Sequence, residues 1–345
     1  MKTEEWQKLV EYLLAHFDVY APVNVVGRVK VKKVDSFDEI DWSGTIPENT
    51  FKSVIFPPNE LLAQYRRGEF KEVNPDTRPV ALVGMNILDL EALGLFDQVF
   101  AKDPYYLERR RKMFILGFSN GIEDDYRRYR IFHHDNEENV LEHRNFDIFI
   151  ERQKNNNDII FSGSALGQQW LEKAKIDDFE NIEFVGFVPE QGVPKKITEL
   201  RGRVAESFDH AIWEELNKSC IACGRCTNAC PTCFCYDTVD AHHRDGVDRS
   251  RQWSSCFMND FSSIAGGREY LDTVKKKIYF WYYHKFVRIP DQFSYAGCVS
   301  CLRCFKVCPA GINIVKVLQR LKDKNKNEKP TSSPEGENHR QDETK

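Results

Sequence analysis

The first 219 residues contain no cysteine at all; the eleven cysteines of this 345-residue chain all lie between positions 220 and 308. That confinement excludes a fold stapled by dispersed disulfides, and an odd count in a long chain reads as metal binding instead. A large excess of either charge is also missing, with 49 lysines and arginines against 53 aspartates and glutamates. A formal net charge of -4 gives none of the basic excess that nucleic-acid binding requires. No apolar run is long enough to span a bilayer, so no membrane insertion is expected. The amino terminus, MKTEEWQKL, mixes acids into what would be the basic region of an export signal, which points to a cytoplasmic, reducing compartment. There is no P-loop, no G-x-G-x-x-G fingerprint and no Ser-His-Asp signature. A free-standing active site is therefore not expected, and no flavin or nucleotide is assigned to the chain.

What is present is one cysteine phrase written twice. CIACGRCTNACP sets Cys220, Cys223, Cys226 and Cys230 before Pro231, and CVSCLRCFKVCP sets Cys298, Cys301, Cys304 and Cys308 before Pro309. The spacing C-x2-C-x2-C-x3-C-P is the bacterial ferredoxin run, in which three close thiolates bind one cubane and the fourth reaches the other. Structural zinc needs only two C-x2-C pairs and has no use for a third equally spaced thiolate. Two [4Fe-4S] clusters follow. By the crossover rule one takes Cys220, Cys223, Cys226 and Cys308, and the other takes Cys298, Cys301, Cys304 and Cys230.

Ahead of these motifs the chain reads as mixed α/β. Residues 4 to 17 space Trp6, Leu9, Val10, Leu13, Leu14 and Phe17 as an amphipathic helix. A half-buried strand is expected around residues 24 to 34. SVIFPPNELLAQYRRGEF reads as a short strand, a Pro-Pro stop and a helix carrying Asn59 and Glu60 in its first turn. PVALVGM and MFILGF are buried strands, and DIIFSGSALGQQWLEKAK is a strand turning through Gly163 and Gly167 into a helix. That turn lacks the phosphate-binding pattern and reads as a plain turn. His133, His134 and His143 sit among acids in HHDNEENVLEH, which reads as a solvated loop rather than a metal site. Lys195 to Lys218 reads as one long helix leading into the first cysteine loop. Three regions are expected: a mixed α/β domain over 1 to 194, a helical ferredoxin-like two-cluster domain over 195 to 320, and a disordered polar tail over 321 to 345.

Three cysteines exceed the need of two cubanes. Cys233 and Cys235 follow the first motif, and Cys256 lies in RQWSSCFMNDF. Two readings stand open: a third cluster completed by Asp237, His242 or His243, or buried free thiols packed beside the clusters. The aromatic and basic residues between the motifs, including Arg249, Arg251, Trp253, Arg268, Lys275 to Lys277 and YFWYYHKFVR, read as a water-excluding, cation-bearing shell that also suits an acidic partner.

CPTCFCYDTVD, RSRQWSSCFMNDFSSIAGG, YYHKF and GCVSCLRCFKVCPAGINI, with VIFPPNELL, ALVGMNILDLEAL and DPYYLERRRKMFILG ahead of them, resemble the iron-sulfur β subunit of soluble cytoplasmic [NiFe] hydrogenases of the sulfhydrogenase type. The related A subunit of anaerobic sulfite reductase shares the pattern. The resemblance covers roughly residues 50 to 315 and implies an electron carrier between a flavin subunit handling NAD(P)H and a catalytic [NiFe] subunit, or a sirohaem subunit in the alternative. It implies no catalytic residue on this chain; a free-standing iron-sulfur oxidoreductase is the third reading. Two departures stand out. Many relatives carry cysteines after the strand equivalent to MFILGF, where this chain has SNGIEDDYRRYRIFHHD, and Ser300 and Leu302 replace glycines frequent in the second loop.

Overall fold

The computed structural model describes residues 3–73, 78–122, 140–153, 158–188, 192–193 and 195–321. Helix α1 (Thr3–His16) leads into strand β1 (Asp18–Val25), which turns at Val26 and Gly27, both left-handed, into antiparallel β2 (Arg28–Val34). A one-turn helix α2 (Lys52–Ile55) precedes the hairpin of β3 (Asn59–Arg66) and β4 (Glu69–Glu72). Then come β5 (Val80–Met85), α3 (Ile87–Val99), α4 (Pro104–Arg111), β6 (Met113–Ser119), β7 (Ile148–Arg152), β8 (Asp158–Ser162), α5 (Ala165–Lys173) and β9 (Glu180–Asn181).

Seven of these strands form one sheet in the order β2-β1-β5-β6-β7-β8-β9, parallel from β1 through β7. Both faces are buried, which is why β5 and β6 read as continuous apolar runs. Ala81, Val83, Phe114 and Leu116 meet Trp6, Leu9, Leu13, Trp170 and Leu171 from α1 and α5. On the other face Leu82, Met85, Met113 and Ile115 meet Leu88, Leu90 and Leu93 of α3. Asn86 caps α3 by accepting from the N–H groups of Leu88 and Asp89. The glycines of the β8–α5 turn serve packing: a Cβ on Gly167 would lie 1.9 Å from the Asp147 carbonyl oxygen. Ser164, not a phosphate, caps α5.

The second half begins with α6 (Lys195–Ala205) and α7 (Ile212–Ser219), continues through α8 (Arg225–Asn228) and the hairpin β10 (Tyr236–His243) and β11 (Gly246–Trp253), and ends with α9 (Val274–Tyr283), a π-helical stretch (His284–Arg288), α10 (Ile289–Phe293), α11 (Arg303–Lys306) and α12 (Ile314–Arg320). Its core gathers Trp213, Leu216, Ile278, Trp281, Tyr282, Phe286 and Val317.

Four elements differ from expectation. The short strand expected at SVIF is instead the one-turn helix α2. The single helix over 195 to 218 is two helices, because the chain turns at Ser207 to His210, where the buried Trp213 Nε1 donates to the Ser207 carbonyl at 2.5 Å. NELLAQYR is strand β3 rather than a helix, since tertiary pairing overrides its propensity. The segment between the cysteine motifs is not all helical either: β10 and β11 join β3 and β4 in a sheet of order β10-β11-β3-β4. That sheet therefore draws strands from both sides of residue 194. Buried Glu60 of β3 accepts from Arg251 of β11 at 2.5 Å and also bonds Arg109 of α4, and Arg251 bonds Asp103 as well. The expected polar tail from 322, His133 and His134 lie outside the described residues, whereas His143 is buried with Nδ1 2.8 Å from the Gly186 carbonyl oxygen.

Candidate iron-sulfur site

The two cysteine phrases repeat in conformation as well as in spelling. In the first loop Ala222 and Gly224 are left-handed, with φ of 52° and 68°; in the second, Ser300 and Leu302 take the same turns at 56° and 58°. Each loop ends in a one-turn helix, α8 or α11, carrying its third cysteine. Left-handed backbone is costly for residues with a Cβ, by roughly 1 kcal/mol each, so three of these four positions are held by what surrounds them. These turns fold each loop back around its own sulfurs. Backbone N–H groups of Ala222 and Ile312 reach the sulfurs of Cys220 and Cys308 at 3.4 Å each.

Cys220, Cys223, Cys226, Cys304 and Cys308 line one hollow, with Phe257, Ile278, Trp281, Tyr282 and Ile314 as apolar walls. Trp281 and Tyr282 present a buried indole Nε1 and a buried hydroxyl with no hydrogen-bond partner among the described residues. Orphaned donors in an apolar hollow ringed by thiols fit an acceptor such as cluster sulfur. Burial raises the thiol of Cys226 to about 12, so this pocket disfavours a bare thiolate and suits one bound to iron.

Cys230 does not line that hollow, although Cys226 feels it as a neighbouring charge, and Lys285 links it to the start of the second loop. Thr232 Oγ1 donates to the Gly297 carbonyl at 2.8 Å, tying the segment after the first motif to the residue before Cys298. The Lys285 ammonium, 1 % exposed, lies 3.2 Å from Cys230 Sγ, 2.9 Å from Thr232 Oγ1 and 3.1 Å from the Gly297 carbonyl oxygen. Burial opposes charge on Lys285, yet the neighbouring cysteine sulfurs, Cys230 foremost with Cys233 and Cys298, outweigh it and hold its pKa well above the ordinary range. Cys298, Cys301 and Cys304 each feel Cys230 as a neighbouring charge, and burial pushes the Cys298 thiol to about 12. A Cβ on Gly297 would meet the Lys285 carbonyl oxygen at 2.2 Å, so only glycine fits there.

Two buried cations that sequence reading missed complete the surroundings. Lys52 donates to the carbonyls of Thr227 and Cys233 at 3.2 and 3.3 Å and stands 4.0 Å over the Trp253 ring. Arg303, fully buried between Cys301 and Cys304, grips both carboxylate oxygens of Asp89 on α3 at 2.6 and 2.8 Å and donates to the Pro47 carbonyl. A lone Lys or Arg carries no spacing signal; only the fold reveals it.

The extra cysteines are placed unevenly. Cys233 hydrogen-bonds Cys230, which lowers the Cys230 thiol and raises its own. Cys256 feels Cys235 and Cys226 as neighbouring charges, and burial raises the thiols of both Cys235 and Cys256. Asp237 begins β10 beside Cys235, but His242 and His243 stand at the far end of that exposed strand, about 20 Å along at a strand's rise per residue. There His243 pairs with Asp248 at 3.0 Å. The fold thus does not bring those histidines to the three thiols. Among the described residues no three His, Cys, Asp or Glu side chains converge tightly enough for a single metal ion. A cubane asks for wider spacing, because each thiolate binds a different iron.

Residues 219–312 match the 4Fe-4S dicluster domain, which makes the chain an iron-sulfur protein with that domain near its carboxyl end. Over 318 residues, 88% of this chain and 92% of the relative, it is 29% identical to Sulfhydrogenase 2 subunit beta of Pyrococcus furiosus. The likeness to sulfhydrogenase β subunits read from the motifs therefore runs through the α/β half as well. No solved structure matches the chain. Among the described residues no helix is long and apolar enough to cross a membrane.

Proposed function

We propose that this chain is the iron-sulfur electron-transfer subunit of a multi-subunit redox complex, relaying electrons between a flavin subunit that handles NAD(P)H and the catalytic subunit of a [NiFe] hydrogenase. One observation carries the reading: Cys308, together with Cys304, lines a hollow with the first loop's Cys220, Cys223 and Cys226 but without Cys230, which is tied to the second loop through Lys285 and Thr232. That exchange of fourth cysteines is what two neighbouring cubanes of a ferredoxin-like module require. Bound [4Fe-4S] clusters supply one-electron carriers at the two sites.

The chain's own residues would hold and insulate them. Eight thiolates anchor the iron, four from each loop with one exchanged. Trp281, Tyr282, Phe257 and Ile278 keep water from the first site. Lys285 and Arg303 place buried positive charge beside the second, which favours an anionic cluster and makes its reduction easier. Cys233, as hydrogen-bond partner of Cys230, fits a neighbour of the second cluster rather than a ligand of a third. About 8 irons per fully loaded chain are expected from two cubanes, whereas about 12 would require a third.

The test is anaerobic isolation of the native complex, identification of the chains that co-purify, and assays of viologen-linked hydrogen evolution and of sulfite reduction. Hydrogenase subunits with hydrogen turnover support the reading. A sirohaem subunit with sulfite turnover would move the same relay to the other complex, and turnover by the isolated chain with a physiological donor and acceptor would make it an enzyme in its own right.

A further inference from the structure

Between β2 and the two cysteine loops lies an open cleft of about 770 Å³. Its walls carry Arg28 and Lys30 from β2, Arg225 from the first loop and Lys306 from the second, against one carboxylate, Glu48, which faces Arg28 at 3.8 Å. Among the described residues no ion pair engages Lys30, Arg225 or Lys306. Trp253, backed by the Lys52 ammonium at 4.0 Å, adds an aromatic wall with positive charge behind it.

The position of this cleft matters more than its size. Arg225 stands between Cys223 and Cys226; Asn228 and Ala229 stand between Cys226 and Cys230; Lys306 and Val307 stand between Cys304 and Cys308. If the fourth cysteines cross over as proposed, the last two stretches each run from a ligand of one cluster to a ligand of the other. The floor of the cleft is therefore the backbone that joins both clusters. Elsewhere most of the cysteines are screened, the exposed Cys223 excepted: the first hollow is walled by aromatic side chains, and Cys301 and Val299 pack into the core beneath the seven-stranded sheet.

A small phosphorylated ligand is poorly served here. Helices α8 and α11 are single turns of four residues, and no residue lining the cleft offers a buried, unpartnered polar atom to fix one. Cationic side chains around an open cleft, with Arg28, Arg225 and Lys306 exposed and Lys30 half-buried, suit a protein surface instead, because electrostatic steering needs charge rather than a shaped pocket.

We propose that this basic cleft is the docking site at which an acidic redox protein exchanges electrons with the chain. The inference rests on the electron-transfer reading and names the partner's chemistry and its place of contact. Each encounter passes one electron between the partner's cofactor and a cluster of this chain, one centre being oxidised and the other reduced, with no proton or group transferred.

The test uses the iron-loaded full chain under anaerobic conditions, oxidised, mixed in a stopped-flow instrument with a reduced, strongly acidic bacterial-type ferredoxin as the probe. Reduced methyl viologen, a cation, is the control donor. Three proteins are compared: the wild type, Arg225→Glu/Lys306→Glu, and Arg28→Glu/Lys30→Glu. The second pair lies on β2, away from every cysteine, so it leaves the iron content intact even if the first pair disturbs a loop. The expected result is at least a 10-fold fall in ferredoxin rate for the β2 pair at low salt, a steep loss of the wild-type rate as salt rises, and no fall in the viologen rate. Iron retained with an unchanged ferredoxin rate in the β2 pair would overturn the docking site. A wild-type chain whose clusters accept electrons from neither donor would instead sink the electron-transfer reading on which the site depends.

Discussion

Replacing Asp89 by Asn should cost the protein about 3–5 kcal/mol, because it strands the guanidinium of Arg303 in the interior. Arg303 is fully buried and Asp89 is 3 % exposed, and their two parallel contacts at 2.6 and 2.8 Å join α3 of the sheet half to the second cysteine loop. With the carboxylate gone, Arg303 keeps the Pro47 carbonyl and a neutral amide, too little to offset several kcal/mol of lost hydration. Total stability for a protein of this kind is of order 5–15 kcal/mol, so the loss is a large share of it. The assay is anaerobic guanidinium unfolding followed by far-UV circular dichroism and by the visible absorbance of the clusters, with midpoints compared rather than extrapolated energies, since a bound cofactor complicates two-state analysis. Removing both partners as Asp89→Leu/Arg303→Met should recover most of the midpoint, as no unpaired charge remains. A midpoint for Asp89→Asn close to that of wild type, or a double variant no better than the single, would refute the claim that this pair fastens the second loop to the sheet.

Three further outcomes are expected. Tyr282→Phe removes a buried hydroxyl that has no protein partner and lines the first hollow, so the midpoint potential of that cluster should move to more negative values while iron content stays unchanged, read by EPR-monitored redox titration. Ser300→Gly relieves a left-handed residue whose buried hydroxyl has no partner, and should leave the unfolding midpoint unchanged or raise stability by about 1 kcal/mol. Burial, aided by Lys285 and Arg288, lowers His284 to about 4. The folded protein then binds fewer protons than the unfolded chain between roughly pH 6.5 and 4, so His284 costs stability as pH falls through that window, by up to about 3 kcal/mol. His284→Phe should flatten the decline, measured as the difference in unfolding midpoint between variant and wild type at pH 7 and pH 5.

The cysteine loops, the buried strands β5 and β6 and the amphipathic α1 could be read from the chain because each depends on a local period or spacing. What could not be read was long-range. NELLAQYR has helical propensity, yet Glu60 is needed in a strand to hold Arg251 and Arg109, and no local rule carries that demand. The hairpin of β10 and β11 did leave a signal, the Asp245-Gly246 pair between segments rich in strand formers, and Gly246 proves necessary where β3 passes: a Cβ would lie 1.8 Å from the Tyr65 carbonyl oxygen. Ser300 and Leu302 stand where relatives frequently carry glycine. They adopt the glycine-like turns all the same, held there by the packing of the second loop. Lys52 and Lys285 lie 178 and 55 residues from Cys230 in the chain and meet it only through the fold.

The central claim is the exchange of fourth cysteines, and Cys308→Ala tests it most directly. Reference variants Cys226→Ala and Cys304→Ala each remove one reduced-state EPR signal and identify which belongs to which loop. Cys308→Ala, although it changes the second motif, should lose the same signal as Cys226→Ala and keep the one that Cys304→Ala abolishes. Loss of the Cys304 signal instead, with the Cys226 signal intact, would mean that each loop binds its own cluster with all four of its own cysteines and that the crossover is wrong.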